Sequence, residues 1–149
     1  MVALSHILMR SRMGTDRVLR AWLVAWLGGS VLGVINGVAR EVLYKDRVGD
    51  QAANYISTGT LLALLAFYLW LLQRRWPIRS RGTAYGIGTS WVVLTIMFEF
   101  GFGHYVDGKS WGNLLHNYNV ADGEIWVLVL LWMAVAPAAL RRLSGSEPS

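Results

Sequence analysis

The chain has no cysteine in 149 residues, only three prolines and few charges, with 15% of its residues Asp, Glu, Lys or Arg. Without cysteine there is no disulfide framework, no thiolate metal site and no cysteine nucleophile. The charged fraction is well below the roughly 25% of a soluble domain, which argues against a water-soluble enzyme. Intrinsic disorder is excluded as well, because 54% of the residues are hydrophobic. The first thirteen residues are short and weakly apolar, and they lack a small-residue cleavage site, so no cleavable signal is expected. Met9 and Met13 are alternative starts.

What is present is a set of long apolar runs. Ala21 to Ala39 and Ala52 to Leu72 contain no charge, and Thr83 to Val106 contains one carboxylate, Glu99, and one histidine, His104. Ile125 to Leu140 is again uncharged. A hydrocarbon core of about 30 Å needs about 20 helical residues. The runs are continuous rather than alternating, so helices are expected rather than strands. The predicted fold is an all-α integral membrane four-helix bundle, one domain over 1–143, with spans near 18–39, 52–72, 83–106 and 124–141. A disordered tail is expected over 144–149. The fourth span is short and carries Pro137 in its expected last turn.

Basic residues set the direction. Arg10, Arg12, Arg17, Arg20, Arg74, Arg75, Arg79, Arg81, Arg141 and Arg142 fall on one side, against Arg40, Lys45, Arg47 and Lys109 on the other. The positive-inside rule then puts both termini in the cytoplasm of a multi-pass protein of the inner (plasma) membrane. The net charge of +5 is distributed between spans in the membrane pattern, so no nucleic-acid partner is expected. In the second outer loop, Ser110 can cap a short helix whose Trp111, Leu114, Leu115 and Tyr118 form one apolar stripe, suited to the membrane surface.

Polar groups gather at one end. Gly29, Gly33 and Gly37 form a small-residue series on the first helix, a face for close helix approach or a homo-oligomer, with Asn36 and Arg40 in the same arc. The third helix has a second series, Gly82, Gly86 and Ser90, and on another face Thr95 and Glu99 with Gly88 nearby. A carboxylate inside a span costs about 2.5–3.5 kcal/mol on insertion scales and is a functional-site hypothesis by default. At about 1.5 Å per residue, Glu99 and Arg40 lie about 24 and 28 Å from the inner boundary, at a level where an ion pair between them is expected. Asn54, Ser57, Thr58, Thr60, His104, Asp107, His116, Asn119 and Asp122 lie near the same level. The inner halves of the spans carry no ionisable residue, a pattern unlike a pore or carrier.

The reading is therefore a polar crown at the outer leaflet that binds or modifies an amphiphile such as a lipid, isoprenoid or envelope precursor. Glu99 and His104 are the candidate acid–base pair. Asn36, Arg40, Glu41, Asp107, His116 and Asn119 are the candidate ligand contacts. The histidines and acids match no dedicated metal motif, and no cofactor is assigned. The alternatives are an assembly subunit without catalysis, or an ion- or proton-coupled transporter formed by an oligomer.

The segments Asn36–Glu41, Phe98–Tyr105 and Ser110–Asn119 resemble a family of small bacterial four-span integral membrane proteins. The resemblance covers most of the chain and implies four spans but no activity. Membrane eicosanoid and glutathione enzymes carry an Arg/Asn/Glu pattern in their second span, and this second span has no charge. Relatives of vitamin K epoxide reductase require cysteines.

Overall fold

The structure, a computed structural model, describes the backbone of residues 2–144 and the side chains of 14–144. The expected tail beyond Ser144 and the side chains of Arg10 and Arg12 lie outside the described residues. Six α-helices follow one another: α1 (Val2–Ala39), α2 (Lys45–Val48), α3 (Asp50–Arg75), α4 (Arg81–Tyr105), α5 (Trp111–His116) and α6 (Trp126–Leu143). Among the described residues there is no strand. Four helical stretches are long and apolar enough to cross a membrane: Gly14–Val48, Asp50–Arg75, Arg81–Tyr105 and Trp126–Leu143.

The first helix runs further than its apolar run indicates. A π-helical turn, Arg40–Tyr44, carries it without a break into α2. No glycine or proline interrupts Val38 to Val48. Glu41 also pairs with Lys45 one turn on, at 2.7 Å. The break comes at Gly49, whose φ of 83° lies in the left-handed region that favours glycine. At the other end of α3, Ile78 N–H donates to Gln73 Oε1 at 3.1 Å, and Ser80 caps α4 by accepting from Thr83 N–H at 3.0 Å. Pro137 lies inside α6, which continues for six residues beyond it, rather than in its last turn.

The four long helices pack as a square. α1 and α6 occupy opposite corners, and each touches α3 and α4. The most extensive contact is α4 on α6, and its reason is Gly88: a Cβ there would lie 2.3 Å from the Ala134 carbonyl oxygen. The tight face of α4 is thus Ala84, Ile87, Gly88 and Trp91, all buried. This corrects the expectation for Gly82, Gly86 and Ser90. Nothing packs on Gly86, and its face is open.

The core sits toward the end of the bundle that holds Trp76. Trp22 and Trp91 are 0% and 1% exposed. Trp22 Nε1–H donates to the Trp76 carbonyl and Trp91 Nε1–H to the Trp22 carbonyl, both at 2.9 Å. A buried indole N–H left without an acceptor costs free energy, so these bonds fix how the helices dock. Tyr68 reaches across from α3 to the Ala25 carbonyl at 2.8 Å, over the space that Gly28 leaves free.

Candidate functional site

Above this core the four helices enclose a well of about 250 Å³. Leu61, Leu65, Trp91, Val129 and Met133 make its floor and walls apolar. Gly33 and Gly37 of α1 line it as well, and a Cβ on either would meet nothing within 4 Å. The series expected to bring two helices together therefore works differently at each position. Gly29 packs on Trp91 at 3.2 Å, while Gly33 and Gly37 hold open the side of the well.

Over the well lies a polar vestibule of about 540 Å³. It is walled by the π-helical turn, the start of α3 and the α5–α6 connection. Arg40, Asn54, Glu99 and Trp126 line both spaces, so the two are continuous and these four residues form the neck. The result is one recess with an oily bottom and a charged top, at the end of the bundle away from Trp22 and Trp76.

Glu99 is held at the neck by two neutral donors. The Tyr118 hydroxyl donates to Glu99 Oε2, and Trp126 Nε1–H donates to the same oxygen at 3.0 Å. Tyr118 is brought there by the turn that follows α5, and its ring packs tilted against Phe100, with centroids 5.7 Å apart. Burial in this loop raises the Tyr118 phenol pKa first, and the bond to Glu99 raises it further. Tyr118 is thereby kept as a donor. The adjacent Asn54 donates to Glu124 Oε2 at 3.2 Å. Below the neck, Trp26 Nε1–H donates to Thr95 Oγ1 at 3.0 Å and closes the α1–α4 side of the well.

Of the residues predicted for the site, the structure brings together Asn36, Arg40, Glu41 and Glu99. Asn36 lines the well, but its amide is already used: it donates to the Ser57 carbonyl at 3.0 Å and to Ser57 Oγ at 2.7 Å, tying α1 to α3. Arg40 does not pair with Glu99 as expected. Its Nη2 and Nε both donate to Glu41 Oε1, at 2.8 and 3.2 Å. The neighbouring carboxylate captures the guanidinium because the continuing helix places the two side by side.

His104 is not paired with Glu99 either. Five residues on, at about 100° each, it projects about 140° away around α4. There its ring stacks on Trp111, with centroids 3.9 Å apart, and Nδ1 donates to the Lys109 carbonyl at 2.9 Å. The expected acid–base couple is thus split between two faces of one helix. Asp107 lies 3.4 Å from Lys109, and His116 lies 3.5 Å from Asp122. Asn119 caps a 3-10 turn, accepting from Ala121 N–H at 3.2 Å and donating to Asp122 at 2.5 Å. Asp107, His116 and Asn119 shape the connection between α4 and α6 and line neither the well nor the vestibule. Among the described residues, no three His, Asp or Glu side chains gather as metal ligands.

The short helix forms with Ser110 accepting from Asn113 N–H at 3.2 Å, but it ends at His116, before Tyr118, and the expected stripe is divided: Trp111 and Leu115 are exposed while Tyr118 turns in to Glu99. Its Leu114 is buried against Gly103, where a Cβ would come within 2.6 Å. The donors Tyr118 and Trp126 are the residues that sequence reasoning did not place at Glu99. Tyr118 reads as part of an apolar stripe and Trp126 as part of the fourth apolar run, and only their polar tips would have pointed to a buried acceptor. Compared with known proteins, the chain matches no protein-family model, no curated protein and no solved structure.

Proposed function

We propose that the protein is a multi-pass protein of a bacterial inner membrane that binds an amphiphile at the outer leaflet, with its hydrocarbon in the well and its head group in the vestibule. The observation that carries this reading is the continuity of an apolar recess with a charged one through the shared neck of Arg40, Asn54, Glu99 and Trp126. Amphiphile sites are concave and mostly apolar, with few polar groups set where the head must lie. The excess of basic residues toward the chain termini supports cytoplasmic ends and an outward-facing mouth. On that orientation α5, with Trp111 and Leu115 exposed on it, lies at the membrane surface beside the mouth.

The separation of Glu99 from His104 favours binding over acid–base chemistry. Native mass spectrometry of the purified chain tests the reading. Wild type is expected to retain an amphiphile adduct released only by harsh activation, and Gly33→Phe, which fills the well, is expected to lose it. Gly86→Phe, on the open face of α4, serves as the control and should keep it. Equal adducts on all three chains would refute a ligand in the well. A second reading, assembly of several copies, is favoured by that same open Gly82–Gly86 face. On that reading, Gly86→Phe would dissociate a cross-linkable oligomer.

A further inference from the structure

The charges around the vestibule are not balanced in the same way. Each of its cations is engaged by a carboxylate close by in the chain. Arg40 is bound by Glu41, Lys45 Nζ lies 2.7 Å from Glu41 and 3.6 Å from Asp50, and Lys109 Nζ lies 3.4 Å from Asp107. Among the described residues, two acids at the neck and lip have no cation within ion-pair distance. Glu124 accepts from the neutral Asn54 amide. Glu99 accepts from a phenol and an indole, both at Oε2, and Lys109, held by Asp107, acts on it only from further away. The other Glu99 oxygen, Oε1, accepts from no group among the described residues, while the residue lines the well and the vestibule together.

We infer that the head group is a cation, an ammonium carried on a single or double hydrocarbon chain. This rests on the amphiphile reading above and deepens it. An anionic head would meet guanidinium and ammonium groups already paired with their neighbours, with two carboxylates beside them that form no ion pair among the described residues. An ammonium instead meets the free Oε1 of Glu99 and the carboxylate of Glu124, and the Trp126 ring at the neck is suited to its positive charge. A carboxylate in low-dielectric surroundings without a counter-charge is costly, and the ligand's cation removes that cost. A free alkylamine and a bilayer phospholipid such as phosphatidylethanolamine both carry such an ammonium, and the chemistry at the neck is shared.

The test uses the tryptophans that line the well, Trp26, Trp91 and Trp126, as reporters of bromine quenching. The full-length chain in nanodiscs of neutral lipid is titrated with three probes of equal chain length: bromoundecyl-trimethylammonium, bromoundecanol and bromoundecanoate. The ammonium probe is expected to quench saturably and at least about tenfold more tightly than the other two. In Glu99→Gln and in Glu124→Gln the preference for ammonium over alcohol is expected to shrink toward unity. Gly33→Phe is expected to remove saturable quenching by all three probes. Alcohol or carboxylate binding as tightly as ammonium to wild type would overturn the cationic head and leave the amphiphile site standing. Quenching that never saturates, or that Gly33→Phe leaves unchanged, would overturn both. Quenching by bromo-acyl phosphatidylethanolamine, displaced by the free amine, identifies a bilayer lipid as the source; quenching by the amine alone identifies a free amphiphile.

Discussion

Both donors that reach Glu99 converge on Oε2, so either can be removed while the other still satisfies that acceptor. Tyr118→Phe deletes the hydroxyl and leaves Trp126 in place. The expected loss is about 1–2 kcal/mol, toward the low end for a bond to a charged group because Tyr118 is only part-buried. Thermal melting in detergent measures it. The pH dependence has a definite sign. The folded chain holds the Tyr118 proton above the ordinary phenol value of 10.0. This contribution is therefore whole below that value and is lost as pH rises from there through the folded one. Wild type is expected to lose melting temperature above about pH 10 more steeply than Tyr118→Phe, and parallel curves would show that the phenol is not held. Asn36→Ala should cost about 0.6–2 kcal/mol, the range for interhelical polar bonds within a membrane. At this scale the sequence was half legible. Glu99 stood out because a carboxylate in an apolar run needs a reason, and Asn36 because an amide in a span needs a partner. Nothing in the chain order showed that Glu41 captures Arg40, since competition between two acids for one guanidinium is decided by where the helix ends.

The helices themselves were the most legible feature, because uninterrupted apolar length is a strong signal in a lipid-facing chain. Their faces were less so. Two small-residue series, one on α1 and one on α4, stand out by spacing, yet the glycine that meets a backbone is Gly88, which belongs to neither. Gly88→Ala forces a Cβ to within 2.3 Å of the Ala134 carbonyl oxygen. A backbone oxygen cannot rotate aside, so α4 and α6 must separate, at an expected cost of about 1–3 kcal/mol. Gly86→Ala meets nothing within 4 Å and gains helix propensity, so it should be neutral or stabilising by up to about 1 kcal/mol. Melting the two variants side by side checks the assignment of the α4 face, and equal effects would contradict it. His104 illustrates the same difficulty. Its five-residue offset from Glu99 suffices to put it on another face, where stacking on Trp111 explains it without any chemistry.

At the level of the whole molecule, the packing is asymmetric along the bundle axis. One end is tied together by Trp22 and Trp91, whose indoles donate to the Trp76 and Trp22 carbonyls and fill the space between the helices there. The other end opens into the well and vestibule, where glycines on α1 take the place of large side chains. The well and the vestibule meet at that end, and the proposed amphiphile site rests on this arrangement. Because the chain has no cysteine, one engineered thiol reports on it without background. Gly37→Cys places a thiol on the wall of the recess, where a Cβ meets nothing within 4 Å. The measurement is the rate at which a membrane-impermeant thiol reagent labels this variant in intact cells, with and without an alkyltrimethylammonium. Labelling from outside, slowed by the amphiphile, is the result expected of an outward-facing amphiphile site; labelling only after lysis, or at a rate the amphiphile leaves unchanged, would contradict it.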